Sequence, residues 1–167
     1  STMIKNELSI RPITDSDIPL LEGWLLQNRI KEWYEIPNIC TIQDWLDEIH
    51  KRHTDFSFIS HFIAYKGEIP IGFAQYYPCD QAREEWYQAY PLIGTYSIDY
   101  LIGEASFLGK GYGKELISLL IEKIFSKEDA QRIVVQPDAK NLASNRVLQA
   151  NGFNYDSVNH LYLFTKN

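Results

Sequence analysis

The sequence predicts a single α/β domain of the α+β kind, with a mixed central β-sheet flanked by helices. Three observations predict it: segments of period-two alternation, segments with helical spacing of apolar residues, and a length of 167 residues. A chain of that length can bury one hydrophobic core, and no linker, internal repeat or low-complexity tract divides it. We therefore expect residues 1–167 to form one domain, with Ser1-Thr2 ahead of Met3 interpreted as a cloning remnant.

The first third of the chain predicts one strand and two helices. Residues 8–13 alternate apolar and polar side chains, which is typical of a strand. Thr14 and Asp17 have the spacing of a capping box, and Thr41 and Asp44 repeat it before a second helix. Apolar residues at helical spacing follow both pairs, so each pair is predicted to begin a helix.

The middle of the chain changes to the period of strands. Residues 62–77 contain two alternating runs around Lys66-Gly67-Glu68, which predicts a β-hairpin. Residues 80–91 are polar and aromatic without a clear period, and we expect a loop or a broken strand there. Residues 95–103, TYSIDYLIG, predict a long strand that ends at a glycine.

The last third alternates helices and strands. Residues 114–125 form a strongly amphipathic helical pattern, and residues 132–137 predict a buried strand that stops at a proline. Residues 141–152 predict a helix that ends at a glycine, and residues 155–165 alternate again as closing strands. Trp24 and Trp45 lie on apolar helix faces and are expected in the core.

Charge and composition narrow the class of function. The formal net charge is −6 and the pI about 5.2, which argues against a nucleic-acid partner and suits a cationic small molecule. Two cysteines, Cys40 and Cys79, and four scattered histidines have no metal-ligand spacing, so no metal is expected. With no signal peptide and no long apolar run, we expect a cytoplasmic protein without a membrane partner.

The stretch LGKGYGK, residues 108–114, predicts a site for an anion. It fails as a P-loop, because Leu108 stands at the first glycine position, and it fails as a dinucleotide fingerprint because Lys114 stands at the last. What remains is a strand, a glycine loop and a helix beginning at the loop, where unpaired N–H groups attract an anion. The alternatives stay open: the loop can simply turn the chain, and Lys110 and Lys114 can be solvated.

Together with residues 134–153, VVQPDAKNLASNRVLQANGF, the glycine loop resembles the core of the GCN5-related N-acetyltransferase (GNAT) superfamily. Within it the chain is similar to aminoglycoside 6′-N-acetyltransferases over most of its length. The stretches that carry this are IRPITDSDIPLLEGWL, Trp33-Tyr34, GEIPIGFAQYY and SIDYLIGEASFLGKGYG. The resemblance implies acetyl-CoA as the cofactor, with its pyrophosphate on the glycine loop and its pantetheine arm beside the strand before it.

The resemblance also implies the residues of both binding sites. Those expected to bind acetyl-CoA are Tyr100, Leu101, Ile102, Leu108, Gly109, Lys110, Gly111, Tyr112, Gly113, Lys114, Asn141 and Asn145. Those expected to bind the amine substrate are Trp33, Tyr34, Gln75, Tyr77, Glu84, Trp86, Tyr87, Asp99 and Gln136. Carboxylates pair with ammonium groups, and aromatic faces cover sugar rings or attract cations.

Asp99 is the candidate catalytic residue. It can take the proton of the attacking ammonium, bind and orient that group, or serve the structure alone, and the sequence leaves these roles open. Backbone N–H groups near the end of its strand are candidates for steadying the oxyanion. Asn141 is also placed to cap its helix.

Three positions depart from the pattern of those enzymes. Gln136 stands where they usually carry an aspartate before the proline, and Phe107 replaces a frequent glutamine. Leu148 stands where a tyrosine is often credited with protonating the departing thiolate. The first two change the polar surroundings of the ligands, and the third leaves that proton donor unassigned.

The sequence thus predicts an acetyl-CoA-dependent N-acetyltransferase acting on a primary amine of an aminoglycoside. One alternative is the same fold acting on another amine, such as a small metabolite, a siderophore precursor or a peptide N-terminus. A second is a non-catalytic acyl-CoA-binding protein, which would have no need of Asp99 beside Gln75, Tyr77, Glu84 and Trp86. A monomer or a homodimer is expected.

Overall fold

The structure, a computed structural model, describes residues 8–167, so Ser1-Thr2 lie outside the described residues. The strands are β1 (Leu8–Pro12), β2 (Ser60–Lys66), β3 (Ile69–Pro78), β4 (Thr95–Ile102), β5 (Arg132–Val135), β6 (Asn154–Asp156) and β7 (Leu161–Thr165). The helices are α1 (Ile18–Leu25), α2 (Asn28–Tyr34), α3 (Ile42–His50), α4 (Cys79–Ala82), α5 (Tyr112–Phe125) and α6 (Leu142–Ala150).

These strands form one mixed sheet in the order β1-β2-β3-β4-β5-β7-β6. Every neighbouring pair is antiparallel except β4 and β5, which run parallel. The predicted hairpin joins β2 to β3, and Gly67 adopts a φ of 60° at its turn. The mixed central sheet is therefore confirmed.

Helices cover both faces of the sheet, because successive residues of each strand point to opposite sides. On one face, α5 and α6 pack against a large cluster that includes Ala74, Tyr96 and Ile98. On the other face, α1 to α3 pack against Phe73 and Leu101. Asp99 is two residues before Leu101 on β4, so its side chain points to the same face. The candidate catalytic residue therefore lies on the face of α1 to α3.

Both predicted capping boxes are present. Thr41 accepts a hydrogen bond from the Asp44 N–H at 3.1 Å and donates its own N–H to the Asp44 carboxylate at 2.8 Å, which fixes the start of α3. The Thr14 N–H bonds the Asp17 carboxylate at 2.9 Å, and a single turn of 3₁₀-helix there precedes α1.

The structure differs from the sequence predictions in three places. The helix α2 was not predicted, because its seven residues have only one buried apolar side chain, that of Ile30. Residues 80–91 form neither a strand nor a plain loop: they include most of α4 and a 3₁₀ turn at Glu85–Tyr87. β5 ends at Val135, two residues before Pro137.

A close contact fixes α1 against the end of β4. A Cβ added to Gly103 would lie 2.1 Å from the ring of Trp24, which is 3% exposed. The indole N–H of Trp24 donates to Glu104 at 2.7 Å and holds the ring over the glycine. Only glycine leaves room for this contact, so the position of α1 depends on it.

We therefore expect Gly103→Ala to destabilise the protein by about 2 kcal/mol or more, because a buried ring and backbone must move apart. The matched control is Gly23→Ala, since Gly23 lies exposed in α1 with open space around its Cβ position. That variant should be neutral or slightly stabilising. Thermal and denaturant unfolding measure both, and equal stability of the two variants would contradict this account of the contact.

Candidate active site

Strands β4 and β5 part after a short stretch of pairing. Their parallel pairing covers only residues 95–97 opposite residues 132–134, while β4 continues to Ile102. The Gly103 N–H bonds Ile71 of β3 at 2.7 Å, so by alternation the backbone groups of Tyr100 and Ile102 face away from β3. These groups line the gap that the two strands leave between them.

Helix α2 and the turn before it bind the carbonyl groups at the end of β4. The Tyr34 hydroxyl donates to the carbonyl of Tyr100, and Arg29 donates to the carbonyl of Ile102 at 3.0 Å. Arg29 and Gln27 both donate to the carbonyl of Gly103, at 2.9 and 2.8 Å. With these acceptors occupied, the backbone N–H groups of the same edge are the polar groups left for a ligand.

The glycine loop fits a diphosphate. Gly109 and Gly111 have φ values of 73° and 83°, a backbone conformation that residues with a side chain rarely adopt. A Cβ added to either glycine would have no other atom within 4 Å. Gly111 is the N-cap of the 14-residue helix α5, whose first N–H groups have no helical partner. Lys110 and Lys114 are exposed beside it. Open space, helix dipole and two cations together suit the anionic end of a coenzyme.

The other predicted cofactor residues divide between surface and core. Leu108 is 44% exposed at the loop, and Gly113 lies in the first turn of α5. Leu101 and Tyr112 are buried in the core, so these two can offer a ligand only their backbone.

Of the two asparagines of α6, Asn141 caps the helix by accepting from the Ser144 N–H at 3.2 Å. The Asn145 amide is fully used inside the protein: its NH₂ donates to Asn141, and its oxygen accepts from Tyr162.

A hydrogen-bonded row of polar residues lies on the α1–α3 face of the sheet. Gln75 of β3 stands opposite Asp99 of β4, and its amide donates to the Asp99 carboxylate at 2.9 Å. Two residues along β3, the Tyr77 hydroxyl donates to Glu84 at 3.1 Å. The structure thus brings three of the predicted substrate residues, Gln75, Tyr77 and Glu84, together with the candidate catalytic acid.

The environment of Asp99 raises its pKa to about 7. Burial is the main cause, and the nearby carboxylates of Glu84 and Glu48 add to it, while the Gln75 hydrogen bond acts in the opposite direction. A carboxyl group with that pKa is a far better proton acceptor near neutral pH than a free aspartate. Of the roles that the sequence left open, the environment therefore favours proton acceptance.

One of the predicted substrate residues lies in the core instead. Tyr87 is fully buried in a small cluster with Cys79, Val134 and Leu161, and its hydroxyl accepts the Glu84 N–H at 2.7 Å. It supports the turn that carries Glu84 rather than lining a substrate site, which corrects the sequence prediction.

Its neighbour Trp86 is half-buried and packs edge-on against it, with ring centroids 4.7 Å apart. The Gln136 side chain is exposed and donates to the carbonyl of His160 at 2.9 Å, so its amide nitrogen is already engaged just after the end of β5.

On the α2 side, Trp33 is partly exposed and Tyr34 packs edge-on against Trp45, with ring centroids 5.1 Å apart. The Trp45 indole also donates to the carbonyl of Tyr34 at 2.9 Å. Trp24 lies in the core as predicted. Trp45 is only partly buried and packs against Tyr34.

Sequence reasoning missed Glu48. Burial and the charges of Glu84 and Asp44 raise its pKa to about 7, so it shares the electrostatic environment of Asp99. The available signal was its spacing on α3, since Glu48 follows Trp45 by three residues and Asp44 by four.

Leu148 is fully buried in the core of the α5–α6 face, so its position offers no proton donor. Within residues 8–167, no group of three or more His, Cys, Asp or Glu side chains is arranged to hold a metal ion. Among the helices of the same residues, none has the length and hydrophobicity that crossing a membrane requires.

A glycine loop at a helix N-terminus and acidic side chains, on either side of one splayed strand, suit an enzyme that transfers a group from an anionic donor to an amine. The chain belongs to the GNAT acetyltransferase family, because the profile of the acetyltransferase (GNAT) domain matches residues 14–160. The predicted family and enzyme class are confirmed.

Similar proteins carry specific names. The chain is 28% identical over 157 residues to the aminoglycoside N(6')-acetyltransferase type 1 of Klebsiella pneumoniae, covering 91% of this chain and 76% of that protein. A kanamycin resistance protein of Rhizobium radiobacter is 32% identical over 71 residues, 42% of this chain and 66% of that protein.

The crystal structure of aminoglycoside acetyltransferase AAC(6')-Ib in complex with coenzyme A matches with a TM-score of 0.79 at 25% identity, covering 96% of this chain and 95% of that one. Its complex with coenzyme A and kanamycin gives a TM-score of 0.78 at 26% identity, with the same coverage. The predicted fold is confirmed.

The raised pKa of Asp99 predicts that Asp99→Asn is more stable than the wild type above neutral pH, by about 4 kcal/mol. In the wild type, the unfolded carboxyl ionises near pH 4 and the folded one only near 7, so stability falls across that interval and stays constant above it. Thermal unfolding across this pH range measures the difference. Asp55→Asn, at an exposed carboxylate, is the matched control. If Asp99→Asn already exceeded the wild type by the full amount at the acid end of this pH range, the raised pKa of Asp99 would be contradicted.

The glycine loop predicts that Gly111→Ala weakens acetyl-CoA binding, with an increase in KM of about tenfold, because alanine strains the backbone at a positive φ and obstructs the anion. Gly67→Ala is the control, since it places alanine at a positive φ in an open hairpin turn outside the loop. Steady-state kinetics with varied acetyl-CoA distinguish the two. Equal KM values in both variants would count against the loop as the diphosphate site.

Proposed function

We propose that the protein is an acetyl-CoA-dependent N-acetyltransferase whose acceptor is a primary amine of an aminoglycoside, at the 6′ position. The observation that carries this proposal is Asp99, a carboxyl group with a pKa near 7 beside the open edge of β4. Relatives of that name, similar over most of the chain, support the choice of acceptor. A protein that only bound acyl-CoA would have no use for a carboxyl group perturbed in this way.

The cofactor site and the acceptor site lie on either side of β4. When bound, acetyl-CoA would supply the acetyl group as an activated thioester, with its diphosphate held by Gly109, Gly111 and the α5 N-terminus. The backbone N–H groups of Tyr100 and Ile102 are the donors available for the rest of the cofactor and for oxygen charge that develops during transfer. Holding both reactants along one strand supplies much of the rate gain.

Asp99 prepares the acceptor. An alkyl ammonium has a pKa several units above neutral and must lose a proton before its nitrogen can attack. Asp99 accepts that proton directly or through water, and Gln75 fixes the orientation of its carboxylate. The carboxyl oxygens of Glu84, near Asp99, are further hydrogen-bond acceptors for the ammonium form before the transfer of the proton. The departing thiol has an ordinary pKa near 8.5, so its thiolate can leave without a dedicated acid.

A thiol-release assay with purified protein and acetyl-CoA tests the proposal. We expect turnover on kanamycin-type aminoglycosides with a 6′-amine and none on matched compounds with a hydroxyl there. Asp99→Asn should lower kcat/KM by at least about a hundredfold, because the general base is removed. Asp55→Asn should match the wild type. Spermidine, lysine and short peptides complete the panel, and turnover on one of these alone would assign a different amine acceptor.

The same proposal carries the remaining expectations. We retain a small-molecule amine as the partner, a monomer or homodimer as the assembly, and the cytoplasm as the location where acetyl-CoA is available. Cys40 and Cys79 are both free thiols with raised pKa values, about 11 and 12, mainly because of burial. Thiols of this kind fit a reducing compartment and take no part in the proposed chemistry.

A further inference from the structure

Glu48 is a partly buried carboxylate that the proposed mechanism does not use. It lies in the second half of α3, a helix whose start is fixed by the Thr41–Asp44 capping box. Nothing in the acetyl transfer described above requires a charge on this helix. A buried acid without a structural partner is costly, so its presence calls for a function.

The position of Glu48 follows from the contacts of its helix. Trp45 packs against Tyr34 and donates to its carbonyl, and Tyr34 in turn donates to the carbonyl of Tyr100, the residue after Asp99. Residues three apart share a helix face, so Glu48 lies one turn beyond Trp45 on the side that faces the end of β4. The electrostatic effects agree, since Glu48 and Glu84 both act on Asp99.

Three carboxyl groups from three elements therefore lie within electrostatic reach of one another: Asp99 from β4, Glu48 from α3, and Glu84 from the turn after α4. None of the ion pairs among residues 8–167 involves any of them; those pairs join Arg11 to Glu68, Lys31 to Glu35, and Arg52 to Asp15. No basic side chain is among the causes that shift the pKa of Asp99 or of Glu48. Like charges this close destabilise the fold unless a ligand brings the opposite charge.

A second, independent observation points to a ligand at the same place. Gln75 is 2% exposed, and its amide nitrogen donates to Asp99, yet its amide oxygen is buried without a hydrogen-bond partner. Buried acceptors are almost always satisfied, and an ammonium or hydroxyl group is a suitable donor for this one. Among residues 8–167, these carboxylates included, no group of three or more His, Cys, Asp or Glu side chains is arranged to hold a metal ion. The matching ligand is thus an extended organic polycation.

We propose that Glu48 is a specificity-determining residue, which with Glu84 binds a second ammonium group of an acceptor whose reacting amine lies at Asp99. The inference rests on the proposed function, because it concerns the acceptor of the same site. It restricts the substrate class to molecules with at least two amines, the second directed towards α3.

The test compares the wild type, Glu48→Gln and Asp47→Asn with two acceptors. Glu48→Gln removes the charge and keeps the shape. Asp47→Asn removes one charge from the neighbouring residue of the same helix, whose carboxylate accepts a hydrogen bond from Gln43 at 2.8 Å. The acceptors are kanamycin and methyl 6-amino-6-deoxy-α-glucopyranoside, which keeps the sugar ring and the reacting amine but has no second amine. Ionic strength is held constant.

For Glu48→Gln we expect a rise in KM for kanamycin of about tenfold, with kcat little changed, because one charge-assisted contact is lost. The KM for the monoamine should not change, and Asp47→Asn should resemble the wild type with both acceptors. Equal changes in KM for the two acceptors would indicate a general structural effect and overturn the proposal. Unchanged KM values for kanamycin would overturn it as well.

A binding experiment separates this inference from the proposed function. Calorimetric titration of kanamycin and of spermidine into the protein with coenzyme A needs no turnover. If the wild type binds a polyamine without acetylating any aminoglycoside, and Glu48→Gln alone weakens that binding, the polycation site stands and the acceptor assignment falls. Absence of polyamine binding, or equal binding by Glu48→Gln and Asp47→Asn, overturns the inference.

Discussion

The parting of β4 from β5 is the constraint on which the site depends. Parallel pairing holds the two strands together only over residues 95–97, and β5 then ends at Val135. Pro137 has no N–H to donate and restricts the residue before it, so the pairing cannot continue along β5. β4 continues on its β3 side alone, because Gly103 still bonds Ile71. A strand with one saturated and one open edge can bind a ligand through its backbone without losing its place in the sheet.

One strand then serves two ligands because its side chains and backbone groups point in different directions. The open edge and the glycine loop, where Gly111 precedes the first residue of α5, are the parts proposed to bind acetyl-CoA. The Asp99 side chain projects onto the α1–α3 face, next to Gln75. Side chains alternate between the two faces of a sheet, while backbone groups point along the sheet to the neighbouring strand. The Asp99 side chain and the backbone N–H groups of Tyr100 and Ile102 therefore lie close together on β4 but point in different directions. Precise positioning of the two reactants follows from strand geometry rather than from a flexible loop.

Much of this arrangement could be predicted from the sequence, and the exceptions have physical reasons. The capping boxes, the hairpin and the glycine loop are local, since each depends on residues a few positions apart. Tyr87 was misplaced because a polar stretch does not reveal that a one-turn 3₁₀ helix directs one of its rings inward. Glu48 was missed because an acid on an amphipathic helix is normally solvated. Only the contacts of Trp45 with Tyr34 show which side of α3 faces the site.

Burial of like charges opposes folding, yet the proposed chemistry requires it. Burial raises the pKa of Asp99, and each neighbouring carboxylate raises it further, so the protein is less stable with these groups ionised. The same repulsion is relieved when an ammonium group enters, so part of the binding energy of a polyamine comes from strain already present in the free protein. His61, opposite Gln75 on β2, has its pKa lowered to about 4 by burial and by Arg52, and stays neutral at neutral pH. Among the cross-strand neighbours His61, Gln75 and Asp99, the group that titrates near neutral pH is therefore Asp99, where the amine is proposed to react.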